Sequence, residues 1–148
     1  MIRRSFRNAV ITGFLVGLMV GAGATAAYAF TTYTGWSNYV GDTTYTTRAY
    51  LTDTSGGIGG VHNKRADGVS SPAGYLGGRP SIWRNGALCN TTSGIVYNSG
   101  AVVQLVVQVA KTCSAGNYTA SATAYGYRPS TGTYVSRATG NTPVVALP

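Results

Sequence analysis

Short runs of strand-forming residues, separated by turn-forming residues, follow one another from residue 43 to residue 147. Threonine, tyrosine and valine fill these runs, as in TTYTTRAYL at 43–51, and such residues favour strands. No stretch after residue 42 repeats apolar residues at the spacing of a helix. Roughly six to eight short strands broken by turns are typical of an all-β sandwich or barrel. We therefore predict an all-β fold, a small antiparallel β-sandwich.

Three segments give this prediction its detail. The dipeptide Asn85-Gly86 lies between two strand-forming runs and favours a hairpin, because both residues tolerate the positive φ angles of a type I′ turn. The segment Tyr118–Tyr127 alternates, with a tyrosine and three alanines on one face and polar residues on the other. The valine-rich run 101–110 is apolar on both faces, so we predict a central strand there.

The first 29 residues have the three parts of a secretory signal peptide. A basic start, MIRRSFR, precedes an apolar run at 9–20, and Ala27-Tyr28-Ala29 matches a cleavage site. The run is broken by glycines and too short for a membrane-spanning helix, which needs about 20 apolar residues. Arg3-Arg4 also resembles a twin-arginine export motif. We predict a secreted protein without a membrane span, with the signal peptide at 1–29.

The two cysteines of the chain, Cys89 and Cys113, are expected to form a disulfide. An even number of cysteines in a secreted chain is most simply a bridge. Closing a loop of this length stabilises a fold by roughly 3 kcal/mol on the chain-entropy model. The alternative is two free thiols.

The domain boundaries follow from composition. Residues 30–42, which begin FTTYTGWSNYV, are interpreted as an N-terminal extension that could dock as a strand, and 43–148 as the β-sandwich domain. Within that domain, SGGIGG at 55–60 and the polar run 62–71 are interpreted as one long mobile connection.

Catalytic and metal chemistry find little support in the sequence. The single histidine, His62, is interpreted as an exposed loop residue, and no Gly-x-Ser-x-Gly elbow is present to hold a serine nucleophile. The acidic residues, Asp42, Asp53 and Asp67, all lie in turn-like contexts. We predict no catalytic residue, no metal ligand set and no cofactor.

Charge and aromatic content favour binding instead. The sequence carries 11 lysines and arginines against three aspartates, and its cations are scattered rather than arranged in the stripe that nucleic acid requires. A positive exported protein suits an anionic cell envelope or an acidic protein partner. Aromatic and arginine side chains are enriched at interfaces. The predicted partner-binding residues are Tyr33, Trp36 and Tyr39 in the extension, and Tyr75, Arg79, Trp83 and Arg84 in the domain.

A group of motifs occurs between residues 72 and 127: PAGYLG at 72–77, Arg79, Trp83-Arg84, GALC at 86–89, Ser93-Gly94, Tyr97-Asn98 and Gly116-Asn117-Tyr118. In these motifs the chain resembles small secreted proteins of actinomycetes, and in kind it is similar to the small adaptor subunit of the umbrella-shaped antibacterial toxin particles of streptomycetes. That resemblance implies a non-enzymatic subunit that links larger secreted proteins, with no catalytic residue. A weaker resemblance is to lactococcin-like bacteriocins, whose N-terminal pattern is absent.

Two binding functions are therefore expected from the sequence, ahead of a third hypothesis, a small hydrolase that uses His62. The first is a small linking subunit of an extracellular antibacterial toxin complex, whose partners are larger secreted subunits. The alternative is a stand-alone cationic protein that binds cell-envelope glycans or acts as a bacteriocin. The effect of salt on binding distinguishes these two functions, because an electrostatic binder dissociates as ionic strength rises.

Overall fold

The computed structural model describes residues 30–148. The predicted signal peptide and the arginine pair at 3–4 lie outside the described residues. In chain order the strands are β1 (Thr31–Tyr33), β2 (Ser37–Tyr39), β3 (Asp42–Thr52), β4 (Ile58–Arg65), β5 (Leu76–Arg84), β6 (Ala87–Thr91), β7 (Val96–Tyr97), β8 (Gln104–Ala110), β9 (Gly116–Arg128), β10 (Thr133–Ala138) and β11 (Val145–Leu147). A short 3-10 turn, Thr54–Gly56, joins β3 to β4. No helix in this part of the chain is long and apolar enough to cross a membrane.

The strands form two antiparallel sheets, which confirms the predicted all-β sandwich. The first sheet has the order β1-β3-β4-β8, and β2 pairs with the same edge of β3 as a second short strand. The second sheet has the order β10-β9-β5-β6, with β7 added to β5 and β11 added to β9.

The core lies between the sheets and is built by alternation along the strands. On β9 the residues Tyr118, Ala120, Ala122 and Ala124 are all buried, as the sequence pattern predicts. They pack against side chains from the first sheet, which include Tyr45, Ala49 and Leu51 of β3, Val61 of β4, and Val107 and Val109 of β8. Small residues on β9 leave room for the large side chains opposite, so the sheets approach closely.

The predicted hairpin and disulfide are both confirmed. Asn85 and Gly86 have φ angles of 50° and 83° and connect β5 to β6. Cys89 on β6 is bonded to Cys113, three residues beyond the end of β8, with a Cα–Cα distance of 5.8 Å. Because β6 and β8 belong to different sheets, the disulfide ties the two layers together along one side of the sandwich.

The run 101–110 is not a central strand, which corrects the sequence prediction. Only Gln104–Ala110 is a strand, and β8 lies at the edge of the first sheet. Its burial alternates, with Val107 and Val109 in the core and Val106 exposed on the outer face. An apolar run on both faces is compatible with an edge strand when single valines remain on the surface.

The predicted mobile connection at 55–71 is also corrected. Residues 58–65 form β4, which pairs with β3 on one side and β8 on the other. Its glycines are required by packing: a Cβ on Gly60 would lie 2.4 Å from the Tyr50 ring, and one on Gly59 would lie 3.2 Å from Ala120. Glycine is a poor strand former in isolation, so local propensity concealed a strand that packing selects.

The N-terminal extension is placed in the first sheet. Its two short strands, β1 and β2, both pair with β3 of the same chain, and Thr31 lies opposite Thr52. Their other edge faces away from β3 and pairs with no further strand of the described chain. The segment 30–40 is therefore an edge of the sandwich rather than a separate arm.

Candidate functional site

A cluster of cationic and aromatic side chains covers the outer face of the first sheet. It consists of Tyr33, Trp36, Arg48, His62 and Lys64, and we refer to it as the cationic patch. Arg48 points outward because the neighbouring β3 residues Thr47 and Ala49 face the core. The register places His62 directly opposite Arg48, and Lys64 follows two residues later on the same face of β4. The N-terminal segment supplies the two aromatic rings.

The aromatic rings of the patch lie against its cations. The Arg48 guanidinium carbon lies 4.0 Å from the Tyr33 ring centroid and 4.5 Å from that of Trp36. The Lys64 ammonium lies 4.5 Å from the same indole ring. The guanidinium also donates a hydrogen bond from Nε to Nδ1 of His62, at 3.2 Å. These contacts hold two positive groups side by side over a half-exposed aromatic surface.

Tyr50 supports the patch from below. Its ring lies over Gly60, where a Cβ would collide with it, and its centroid is 4.8 Å from that of His62. The Tyr50 hydroxyl accepts a hydrogen bond from Nε2 of Gln108 on β8, at 2.6 Å. The ring is buried, so it fixes the orientation of His62 without reaching the surface.

No carboxylate in the described chain neutralises the patch. Asp42 pairs with Arg128 at 3.0 Å, and Asp67 pairs with Arg65 at 2.6 Å. Asp53 accepts a hydrogen bond from the backbone nitrogen of Phe30. These three aspartates are the acidic side chains of the sequence, so each of them is engaged elsewhere. The patch therefore presents unneutralised positive charge to solvent.

His62 lies on a strand, which corrects its interpretation as an exposed loop residue. Burial lowers the pKa of His62 below its usual 6.5, and the positive charges of Arg48 and Lys64 lower it further. Its described hydrogen-bond partner is a cation rather than the carboxylate that would orient a general base. Across residues 30–148, no three histidine, cysteine or acidic side chains come together as metal ligands.

A second aromatic surface lies on the outer face of the second sheet, at one end of β9. An open cleft of about 320 Å³ is lined by Ala73, Gly74, Tyr75, Tyr127 and Tyr134. The rings form a row: the centroid of Tyr127 is 4.9 Å from Tyr75 and 5.3 Å from Tyr134. Tyr97 extends the row, with its centroid 5.1 Å from that of Tyr134. We refer to these four rings and the cleft as the tyrosine cleft.

The loop that carries Tyr75 is held by one buried side chain. The Asn98 side chain accepts a hydrogen bond from the Leu76 backbone nitrogen at 2.8 Å and donates to the carbonyls of Pro72 and Gly100, both at 2.7 Å. Gly74 adopts a positive φ of 78°, and its carbonyl accepts a hydrogen bond from the Tyr134 hydroxyl at 2.6 Å. The cleft is therefore preformed.

The structure separates the predicted partner-binding residues into different places. Tyr33 and Trp36 are each 40% exposed and belong to the cationic patch. Tyr39 is 3% exposed, and its hydroxyl donates to Asn63 inside the sandwich. A side chain buried in this way cannot contact a partner without unfolding, so Tyr39 is removed from the candidate set.

The other four predicted residues are spread along β5 or just before it. Tyr75 lines the tyrosine cleft, and Arg79 is exposed on the outer face of the second sheet. Trp83 lies near the opposite end of the strand and donates from Nε1 to Oγ of Ser121 at 2.8 Å. Arg84 donates to the carbonyl of Ala115. Tyr75 and Trp83 thus lie toward opposite ends of the second sheet.

Sequence reasoning missed the cations of the patch and most of the cleft. A signal for the patch exists, because Arg48 and Tyr50 are two residues apart, as are His62 and Lys64, and such pairs share one face of a strand. This signal is not recognised when residues 62–71 are interpreted as a loop. Tyr97, Tyr127 and Tyr134 come from three strands, and no spacing in the sequence brings them together.

The chain was also compared with known proteins. No protein-family model matches it, and neither a curated protein nor a solved structure shows a significant match.

Proposed function

We propose that this protein is a secreted, non-enzymatic binding protein that attaches to anionic glycans of a cell envelope through the cationic patch. The observation that carries the proposal is the pair Arg48 and Lys64, held over Trp36 without a carboxylate partner in residues 30–148. The export signal in the sequence agrees with an extracellular role.

The patch has the chemistry that an acidic glycan requires. A guanidinium and an ammonium can each donate charge-assisted hydrogen bonds to carboxylate or phosphate oxygens. Trp36 and Tyr33 are each 40% exposed, so the parts of their rings that the cations leave uncovered can contact the C–H groups of a sugar. Because the rings already hold the guanidinium, little side-chain freedom is lost on binding.

The direct test is titration calorimetry of the secreted protein with two polymers, polygalacturonate for carboxylates and wall teichoic acid for phosphates. We expect binding to at least one polymer in 20 mM NaCl, weakened at least tenfold in 500 mM NaCl because salt screens exposed charges. We expect Arg48→Gln and Lys64→Gln each to weaken that binding about tenfold, as charge-assisted contacts are lost.

Arg79→Gln is the matched control. It removes the same charge from an exposed position on the other sheet and leaves the patch intact. If Arg79→Gln weakened binding as much as Arg48→Gln, attraction would depend on net charge alone and the patch would not be the site. Failure of both polymers to bind in low salt would also contradict the proposal.

A linking role in a secreted antibacterial toxin complex is the second candidate. It is favoured by β1 and β2, whose outer edge pairs with no strand of the described chain and can accept a strand from a partner. The resemblance to small adaptor subunits agrees with such a role. In this case Tyr33 and Trp36 would lie at the rim of the protein interface.

Affinity purification of the tagged protein from culture supernatant tests this second candidate. Larger secreted proteins that elute with it in fixed proportion, and that remain bound in 500 mM NaCl, would favour the linking role, because backbone strand pairing is screened little by salt. A monomer at the size of residues 30–148 on gel filtration would count against it.

A further inference from the structure

We infer that the tyrosine cleft is a second binding site, which accepts a neutral saccharide chain. This inference is independent of the proposed function, because the cleft lies on the outer face of the second sheet, whereas the cationic patch lies on the outer face of the first. The two faces point away from each other across the core.

The chemistry of the lining favours a neutral ligand. All five residues that line the cleft are uncharged, and three of them are tyrosines. The apolar C–H face of a sugar ring matches the electron-rich face of an aromatic ring. The tyrosine hydroxyls and nearby backbone groups can then bind the sugar hydroxyls. A pocket of about 320 Å³ is at the small end of the range for ligand sites, which suits one or two sugar units.

The tyrosines are held in place before any ligand arrives. Gly77 has no Cβ, and one built there would lie 2.7 Å from the Tyr97 ring, so this ring lies directly on the β5 backbone. The Tyr134 hydroxyl is bonded to the Gly74 carbonyl. Rigid aromatic side chains lose little conformational entropy on binding, which is how small recognition surfaces reach useful affinity.

The surface beyond the cleft continues in a form that suits a chain of sugars. Along β9 the outward residues after the aromatic end are Thr123, Ser121 and Thr119, each half-buried. On β5 the exposed Arg79 lies opposite Thr123, and Trp83 lies opposite Thr119. A row of hydroxyls that begins at tyrosines and ends at an indole can contact successive units of one linear chain. A protein partner would need an apolar centre in that position.

The test uses three neutral hexasaccharides as probes: chitohexaose, cellohexaose and maltohexaose. Calorimetry and two-dimensional NMR of the secreted protein are expected to detect binding of at least one, with shifts at Tyr75, Tyr97, Tyr127 and Tyr134. Binding should change less than twofold between 20 and 500 mM NaCl, because the saccharide is neutral and the residues that line the cleft carry no charge. Tyr134→Ala and Tyr97→Ala, both at exposed positions, are each expected to weaken it about tenfold.

Tyr33→Ala is the matched control, since Tyr33 is a tyrosine of similar exposure on the opposite face. It should leave saccharide binding unchanged and weaken binding of the acidic polymer, whereas Tyr134→Ala should do the reverse. The two proposed binding sites can therefore be refuted independently of each other. No binding of any hexasaccharide at millimolar concentration, or binding that Tyr134→Ala leaves intact, would overturn the inference. An unchanged unfolding midpoint will show that the Tyr134→Ala protein is folded. If this variant is destabilised, Tyr97→Ala takes its place in the test.

Discussion

The backbone nitrogen of Phe30 donates a hydrogen bond of 2.9 Å to a carboxylate oxygen of Asp53. The carbonyl of Phe30 is held as well, because it accepts from the Thr52 hydroxyl at 2.8 Å. Phe30 also packs against the core cluster that contains Leu51 and Ile82. The first residue after the predicted cleavage site is thus anchored at the end of β3.

This anchor yields a prediction about processing. Cleavage after Ala29 would convert the Phe30 nitrogen into an ammonium group and the hydrogen bond into an ion pair with Asp53. If the predicted signal peptide is removed, we expect N-terminal sequencing of the protein recovered from culture supernatant to begin at Phe30. We expect Asp53→Asn to lower the free energy of unfolding by roughly 1–2 kcal/mol, because the ion pair is replaced by a hydrogen bond from the ammonium group to a neutral amide oxygen.

The control for this prediction is Asp67→Asn, which removes an exposed carboxylate paired with Arg65 and should change stability little. A mature chain that begins several residues after Phe30, or equal stability of the Asp53→Asn and wild-type proteins, would refute the anchoring role.

Asn63 is predicted to be a main polar contact between the sheets. Its side chain accepts from the Tyr39 hydroxyl at 3.0 Å and donates to the carbonyls of Gly77 and Tyr125 at 2.9 and 2.8 Å. Asn63→Ala would leave these buried groups unpaired. We expect a loss of roughly 3 kcal/mol in the free energy of unfolding, measured by urea denaturation. Asn38→Ala, at an exposed position on β2, should change stability by less than about 0.5 kcal/mol.

Gly60 is predicted to tolerate no side chain. A Cβ at this position would lie 2.4 Å from the Tyr50 ring, which is confined by Gln108 and His62. We expect Gly60→Ala to cost about 1–3 kcal/mol of stability through overpacking. We also expect it to weaken binding of the acidic polymer that the protein binds, because Tyr50 supports the patch. Gly94→Ala has open space around it and serves as the control. Equal stability of the two variants would contradict the packing argument.

The pH dependence of stability is predicted from His62. Burial, then Arg48 and Lys64, lower the pKa of this group in the folded protein below 6.5, and the other groups facing it, Tyr33, Trp36 and Tyr50, carry no charge at neutral pH. As pH falls below about 7, the unfolded chain therefore takes up the proton first. The contribution of neutral His62 to the free energy of unfolding is present above pH 6.5. It is lost as the pH falls toward the pKa of His62 in the folded protein.

We expect the free energy of unfolding of the wild type to decrease between pH 7.5 and 5, and the decrease to be smaller in His62→Gln. The chain has one histidine, so the difference between the two curves reports this group. Curves that run parallel across this range would show that His62 does not titrate differently in the folded state.

The sequence by itself determined the features that depend on neighbours along the chain. The alternation at Tyr118–Ala124 predicted which side chains of β9 are buried, since successive residues of a strand face opposite sides. The turn at Asn85-Gly86 followed from the positive φ angles that these residues accept. The pairing of Cys89 with Cys113 followed from their number and from the predicted export.

Only the tertiary structure decided which strands are neighbours and which surfaces they share. β4 has a weak strand signal, and its glycines are explained by contacts with Tyr50 and Ala120, which are distant in sequence. Tyr39 belongs to a polar segment that is typical of a protein surface, but its side chain lies in the core beside Asn63. Arg48, His62 and Trp36 meet because β3, β4 and the N-terminal segment share one sheet. Strand order and close approach of layers depend on long-range packing, which a local pattern does not encode.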